Sequence, residues 1–479
     1  MRRLTSARTG RRPEGLPLGT GVSFDPTVRQ IGEALLIGGV PRRVLKLGPS
    51  GVEALAELRR GTVRTVNGAA LARRLTDAGL VHPRPLDPLH RAGCVSSVTV
   101  LIPVFGRAAS LDACLTALGS AYPVVVVDDG SPDPAEVAKV AAAHGVRLIR
   151  REINGGPAAA RNTGLAAVHT DLVAFLDSDC VPPPGWIDAL AGHLSDTAVA
   201  VAAPRIVAAP GAPAGARGAL DLGPRPGRVA PGTPVSYVPT AALLARRSAL
   251  LDVTPATTDD IRSVFDPALR YGEDVDLIWR LHEGGWRLRY EPSVRVDHVE
   301  PATWRALLAR RFRYGSSAAG LTQRHPGAMA PLILEPWTTA ALAALLARRP
   351  AIAALAFAGA VVDETRVRKG AGIEVGAAGA VADRTAKTAR ATSAYATQFL
   401  APVLLAGLTH RRTRGAAVAL LAVGPAHSWW VRRPANYRGA FVVGHLAEDA
   451  AYGAGVIAGA ARSRTLRPLV PIRARRKGS

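Results

Sequence analysis

Two apolar runs in this chain each stop on carboxylates, and that pattern restricts the fold more than any other feature. Val124-Val125-Val126-Val127 runs into Asp128-Asp129-Gly130-Ser131, and Val173-Ala174-Phe175-Leu176 runs into Asp177-Ser178-Asp179. A strand without polar alternation has to be covered on both faces, which is the situation of a parallel sheet between layers of helices. Charged residues at its end then fall at the carboxyl edge of the sheet, where α/β proteins bind ligands.

The neighbouring sequence carries the matching pattern. Short apolar runs at 98–102, 124–127, 147–150 and 172–176 alternate with helical periodicity at 110–118 and 134–144. This order predicts βαβ units and an α/β fold with a mostly parallel sheet flanked by helices.

Each polar block admits a plain reading and a chemical one. Asp128-Asp129-Gly130 is an ordinary turn, or a pair of acceptors for a nucleobase or ribose. In Arg151-Glu152-Ile153-Asn154-Gly155-Gly156-Pro157 a glycine-rich turn opens a helix that carries Arg161 and Asn162. It is either a simple helix start or an anion site in which backbone amides and Arg161 hold a diphosphate. Asp177 and Asp179 repel one another unless a cation compensates, and Mg²⁺ or Mn²⁺ shared with donor phosphates does so through oxygen ligands. Such an ion stabilises a leaving diphosphate. Tyr271-Gly272-Glu273-Asp274-Val275-Asp276 precedes a helical pattern. Its acids either complement the helix dipole or supply Asp274 as a general base.

In this order the blocks resemble the family 2 glycosyltransferases, over about 220 residues. The resemblance implies a GT-A-like domain at 95–315 and an inverting, metal-dependent hexosyl transfer from a nucleotide-sugar donor. It makes Pro103, in Pro103-Val104-Phe105-Gly106-Arg107, part of the nucleotide-side loop and Asp129 a contact to uridine. Asp177 and Asp179 match the family's metal pair, and Glu273 and Asp274 its motif with the base, Asp274 being the base and Glu273 an acceptor contact. Trp186 matches the aromatic on the acceptor side, and the segment 237–247 resembles the acceptor-side segment. His298 matches a position that often completes metal coordination, although a lone His is more often structural. Arg310-Arg311-Phe312-Arg313-Tyr314-Gly315 departs from the signature of processive synthases, which argues against long polymers.

The remaining chain divides into a basic tail (1–21), a small module (22–85), a linker (83–93) and a helical region (330–479). In the module, residues 34–37 and 42–47 flank Gly38-Gly39 as a hairpin, Ser50 is the expected cap of one helix, and a second spans 68–78. The arrangement is winged-helix-like. It resembles the peptide-recognition modules that accompany enzymes modifying ribosomal peptides. The whole layout, including Ala451-Tyr452-Gly453-Ala454-Gly455-Val456 and Thr465-Leu466-Arg467-Pro468-Leu469, resembles the glycosyltransferases of mycofactocin biosynthesis. That narrower likeness implies β-linked glucose from UDP-glucose and a peptide-derived redox cofactor, or a glycosylated form of it, as acceptor.

Between 208 and 234 the density of Gly, Pro and Ala predicts a mobile surface loop. Beyond 330, apolar blocks at 338–347, 351–362, 399–408 and 416–423 are too short to span a bilayer and alternate with arginines, so a membrane-surface region and a buried helical subdomain are both open. The formal charge of +23 implies an anionic partner, such as the inner face of a membrane or phosphorylated substrates. Basic residues concentrate at Arg2, Arg3, Arg8, Arg11 and Arg12 and again at Arg462, Arg464, Arg467, Arg473, Arg475, Arg476 and Lys477. Aromatics make up 5% of the chain without a stripe for stacking bases, which argues against nucleic acid. Cys94, Cys114 and Cys180 lack metal or disulfide spacing, and residues 1–20 lack an apolar signal core, so a reduced cytosolic setting is expected. Two rivals remain: a transferase acting on envelope polysaccharide or lipid, and a non-catalytic peptide- or nucleic-acid-binding protein. The joint presence of Asp129, Asp177, Asp179 and Asp274 speaks against the second.

Overall fold

The computed structural model describes residues 14–39, 42–84, 98–213, 216, 218–254, 264–370, 376–432 and 438–474. The expected basic positions Arg2 to Arg12, the linker from 85 onward, Cys94, and Arg475, Arg476 and Lys477 lie outside the described residues. Two compact units are formed, one by the chain up to Pro210 with Leu220–Val299, the other by Gly211–Ala219 with Glu300–Ser479.

The first unit begins with a small module. Strand β1 (Gly21–Phe24) is followed by an antiparallel meander of β2 (Arg29–Ile31), β3 (Leu35–Gly38) and β4 (Arg43–Lys46). Helices α1 (Pro49–Arg59) and α2 (Val66–Asp77) come next, and β5 (Val81–Arg84) returns to pair with β1. Pro83, expected in a linker, therefore stands in a strand opposite Val22. Ser50 does not cap α1, because Gly48 occupies the N-cap and Pro49 the first turn. The turn between the helices is tied by Glu57, whose carboxylate accepts from Thr65 N (3.0 Å) and Thr65 Oγ1 (2.6 Å). Leu36, Leu55, Leu58, Leu75 and Leu80 fill the module's own core.

A central sheet of nine strands follows. Its first part is β6 (Val98–Val104), α3 (Ala108–Leu118), β7 (Val124–Asp129), α4 (Pro134–Ala143), β8 (Arg147–Arg151), α5 (Pro157–Ala166) and β9 (Leu172–Leu176). β7 and β8 add in parallel on one side of β6, and β9 adds in parallel on the other. The chain thus reverses its direction of sheet growth at β6, and at such a switch point open α/β sheets leave a crevice outside the carboxyl ends of the strands, here those of β6, β7 and β9. The second part contains β10 (Cys180–Val181), α6 (Trp186–Ala191), β11 (Val199–Ala208), β12 (Gly227–Arg228), β13 (Ala242–Arg246), α7 (Arg247–Asp252), α8 (Glu273–Glu283) and β14 (Arg287–His298). β13 joins antiparallel to β9, and the long β14 takes β11 in parallel and β10 and β12 antiparallel. The architecture is α/β, with the parallel half carrying the site.

The Gly- and Pro-rich segment expected to be a mobile loop is largely anchored where it is described. β12 pairs with β14, Val229, Ala230 and Val235 are buried, and Asp221 receives Arg205 at 2.8 Å. Composition reports turns, but a long neighbouring strand still recruits two residues of such a segment into the sheet.

The small module lies against the sheet within this first unit. Arg73 on α2 donates to both oxygens of Asp196, the longer contact being 2.8 Å, and also to the Gly15 carbonyl at 2.8 Å. Asp77 at the end of α2 accepts Arg287 Nη2 at 2.7 Å. Burial works against ionisation of Asp77, yet Arg287 holds its carboxyl below the ordinary value.

The second unit is helical: α9 (Trp304–Ser316), α10 (Ala318–Arg324), β15 (Ile333–Leu334), α11 (Pro336–Leu346), α12 (Pro350–Gly370), α13 (Ala377–Phe399), α14 (Ala401–Thr409), α15 (Arg414–Arg432), α16 (Arg438–Arg462) and β16 (Ile472–Arg473), which pairs with β15. The segment 310–315 falls on α9 in this unit. Helices α9 and α16 approach so closely that a Cβ on Gly315 would overlap the Tyr452 carbonyl, and one on Gly455 the Phe312 carbonyl. Among the described residues no single helix is long and apolar enough to cross a membrane, although α13 and α14, joined at a 96° bend, reach that length together.

Candidate active site

The crevice is built from strand ends and helix starts. Gly106 and Arg107, just beyond β6, adopt left-handed backbone (φ 63 and 54), and Gly106 N donates to Ser131 Oγ at 2.7 Å. Ser131 N in turn donates to Asp128 Oδ1 at 2.9 Å. The loops after β6 and β7 are therefore joined, and Pro103 stands beside Val127 at their root.

Asp129, at the end of β7, is buried and organises the glycine-rich turn. Its Oδ1 accepts Arg151 Nε at 2.7 Å and Gly155 N at 3.1 Å, and its Oδ2 accepts Gly156 N at 2.7 Å. Gly156 has φ 85 and caps α5, a position that a side chain would strain.

Arg161 on α5 is the centre of the site. Only 3% exposed, it donates from Nη2 to Asp177 Oδ1 at 2.6 Å and from Nη1 to Glu273 Oε1 at 2.8 Å. Its guanidinium lies 5.7 Å from the Phe265 ring centre, and Phe265 meets Phe175 of β9 edge-on at 5.5 Å. Asn162 fixes this segment by exchanging two hydrogen bonds with the Phe265 backbone (2.7 and 2.9 Å). Burial disfavours the guanidinium charge, but Asp177 and Glu273 outweigh that and keep it protonated. The grip on a diphosphate expected of Arg161 is thus replaced by a clamp on two carboxylates. A deeply buried cation is stabilised by fixed anions, which leaves this one committed inside the protein.

Glu273 and Asp274 open α8 behind Gly272 (φ 83). Burial pushes the Glu273 carboxyl up to about 7, with the charge of Asp274 adding to the effect and Arg161 opposing it. Asp274 is also raised above its ordinary value, chiefly by burial, while its Oδ1 accepts Val275 N at 2.7 Å. Asp276 faces elsewhere and accepts Arg280 Nε at 2.8 Å.

Asp179 is placed by a short strand pair. Cys180 of β10 stands opposite His298 of β14, and Val299 N donates to the Asp179 carbonyl at 2.9 Å. His298 Nε2 consequently lies 3.6 Å from Asp179 Oδ1, and the exposed Arg107 reaches Asp179 Oδ2 at 2.5 Å. Burial, together with the charges of Asp179 and Asp177, pushes the Cys114 thiol up to about 12. The Cys180 thiol is raised by the same causes, so both stay neutral packing groups beside the carboxylates.

The structure thus gathers Asp177, Asp179, His298, Arg161, Glu273 and Asp274 at one end of the sheet, with Pro103 and Asp129 at the adjoining strand ends. Trp186 is not brought into the crevice. Gly185 (φ 71) turns the chain into α6 so that Trp186 enters the core, 3% exposed. The expected acceptor contact is therefore not made by an exposed ring. Arg107 and Arg151 were not singled out from the sequence. The one signal for Arg107 was its place after Gly106 in the first loop.

Residues 99–253 match the family described as glycosyl transferase family 2. The chain is 39% identical over 478 residues to the pre-mycofactocin glycosyltransferase of Mycobacterium tuberculosis (strain ATCC 25618 / H37Rv), covering 95% of this chain and 98% of that one. It is 35% identical over 111 residues to the glycosyltransferase AglE of Haloferax volcanii, covering 21% of this chain and 36% of AglE. A solved mannosyltransferase, PcManGT of Pyrobaculum calidifontis in complex with GDP-Man and Mn²⁺, aligns at 17% identity with a TM-score of 0.37, covering 72% of this chain and 89% of its own.

Proposed function

The chain belongs to glycosyltransferase family 2, and from that membership we propose that it transfers a hexose with inversion, using Asp274 as base beside a divalent cation. We take the donor to be UDP-glucose, and the acceptor to be a hydroxyl of the peptide-derived redox cofactor mycofactocin or its precursor, glycosylated or not. The identity along nearly the whole length of the pre-mycofactocin enzyme supports the acceptor. The observation that carries the chemistry is the Arg161 clamp, because one buried guanidinium ties Asp177 after β9 to Glu273 at the head of α8. Asp274, the next residue, is thereby held close to the carboxylates that would serve the donor.

The donor set fits a hard divalent ion. Asp177 and Asp179 offer carboxylate oxygens, and His298 a ring nitrogen 3.6 Å from Asp179. Among the described residues no three of His, Cys, Asp and Glu are grouped closely enough to hold an ion, so Asp177, Asp179 and His298 do not form one ligand set in the structure and the ion is inferred from family membership. Mg²⁺ or Mn²⁺ held there would neutralise charge on the departing diphosphate.

The protein's own groups do the rest. Asp129 holds the amides of Gly155 and Gly156 in the turn that faces the nucleotide. Asp274 takes the proton of the acceptor hydroxyl while that oxygen forms its bond to the anomeric carbon. The bond from that carbon to the diphosphate breaks on the opposite side and leaves its electron pair on phosphate. The raised pKa of Asp274 makes it a stronger base than an exposed aspartate. Arg161 positions Glu273 and Asp177 and does not touch the reacting atoms.

The test is a panel of UDP- and GDP-sugars with a purified peptide-derived acceptor, read by mass spectrometry with and without chelator. A single hexose mass added from UDP-glucose, lost on chelation, is the expected result. Transfer from GDP-sugars alone, or undiminished transfer in chelator, would overturn the donor or the metal assignment respectively.

A further inference from the structure

The helical unit packs several of its helices through small and hydroxyl side chains and leaves part of its large aliphatic surface outside. On α11 the buried positions are Thr338, Ala341 and Ala344, and on α12 they include Ala353, Ala356 and Ala360. The inward residues of α13 include Thr388, Ser393 and Thr397, with Thr338 and Thr388 hydroxyls 3.0 Å apart. Val381, Leu404, Phe441 and Val456 supply large apolar groups to the interior, yet other large aliphatics point outward: Ile352 and Leu355 (72% exposed) on α12, and Val403 (65%) and Leu405 (61%) on α14. A helix in water buries its large aliphatic face and exposes small and polar residues. Small and hydroxyl residues at helix contacts with aliphatics outside are the arrangement of helices surrounded by hydrocarbon.

Two further observations select the occupant of this surface. First, α12 is apolar only in its first half, ending at Asp363 and Glu364, and no single described helix is suited to cross a bilayer. Helices of this kind insert in one leaflet, to a depth of roughly 5–10 Å. Second, the turns beside these helices expose arginines, Arg348 and Arg349 before α12 and Arg411, Arg412 and Arg414 after α14. Cations next to an apolar face complement anionic headgroups, whereas a second copy of the chain on the same face would set arginine against arginine.

We propose that the exposed aliphatics of α12 and α14 dock the helical unit into an anionic lipid leaflet, entering the upper acyl region with the adjoining arginines at the headgroups.

The experiment is co-sedimentation of the full chain with phosphatidylglycerol-containing vesicles and with pure phosphatidylcholine vesicles, at low and high salt. Binding to the anionic vesicles is expected, reduced but not abolished at high salt. Replacing Arg348→Gln with Arg349→Gln should weaken low-salt binding by about fivefold per charge. Leu355→Asn with Val403→Asn should remove the salt-resistant part, lowering it by roughly tenfold or more. All four residues are exposed, so these variants keep the fold. Three results would overturn the proposal: no binding to anionic vesicles at either salt, binding unaltered by Leu355→Asn with Val403→Asn, or a lipid-free dimer that those two substitutions split into monomers. Transfer activity is not part of the readout, so the outcome is independent of the reaction proposed above.

Discussion

Asp274 and Glu273 are neighbours in sequence with different surroundings, and the difference can be measured. Asp274→Asn keeps the shape and the hydrogen bond from Val275 but cannot accept a proton. Turnover should fall by ~10²–10⁴-fold while calorimetry finds the donor bound as tightly as before. Activity within a few-fold of wild type would move the base elsewhere. Glu273 gives a stability signature. Its carboxyl has an ordinary value of 4.5 and is pushed up to about 7 in the fold by burial, so the folded chain holds that proton more firmly than the unfolded chain. The resulting stabilisation is complete below pH 4.5 and is lost as pH rises through about 7. Glu273→Gln is neutral throughout, so wild-type stability measured relative to this variant should decline across that window and level off above it. A relative stability that climbs with pH would mean that attraction to Arg161 outweighs the burial of Glu273.

At the scale of elements, the contact between α2 and the sheet depends on a buried pair. The Arg73 and Asp196 side chains are 4% and 9% exposed, and neither charge can return to water while the module stays docked. Removing one partner strands the other, so Arg73→Met or Asp196→Leu alone should cost about 3–5 kcal/mol, and the double replacement much less than the sum. Urea unfolding of the four proteins tests this, and simple additivity would mean that the pair is not coupled. Elements of this kind also show what could be read beforehand. β6, β7, β9, α3 and α4 were legible because a strand or helix writes its burial into local periodicity, and the acidic blocks were legible because charge at a strand end is unusual. Arg161 was visible as a residue but its role was not, since Glu273 stands 112 positions away. The pairing of Cys180 with His298 was equally hidden, because β10 has only two residues and takes its position from β14. The family likeness placed Trp186 on the acceptor side, and the left-handed Gly185 before it turns the ring into the core instead.

For the whole molecule, two compact units mean that heating need not produce a single all-or-none transition, so ligand effects must be read on the transition of the unit that holds the site. All the residues assigned to donor and metal, from Pro103 to His298, lie in the first unit. A donor that binds only the folded site at a hundredfold its Kd stabilises that unit by about 2.7 kcal/mol. For a unit of this size each kcal/mol raises the midpoint by about 1.5–2 °C, so calorimetry with UDP-glucose and Mn²⁺ should show a rise of about 4–5 °C. Asp177 and Asp179 repel one another and are compensated in the structure by Arg161 and Arg107, only the second of which is exposed and able to leave. The nucleotide-sugar should therefore stabilise little without the ion, and the ion little without the phosphates that complete its shell. Chelator, or Asp177→Asn combined with Asp179→Asn, should return the transition to its unliganded position. An equal rise with UDP-glucose in the presence of chelator would show that the donor is held without a metal, and the carboxylate pair would then need another role.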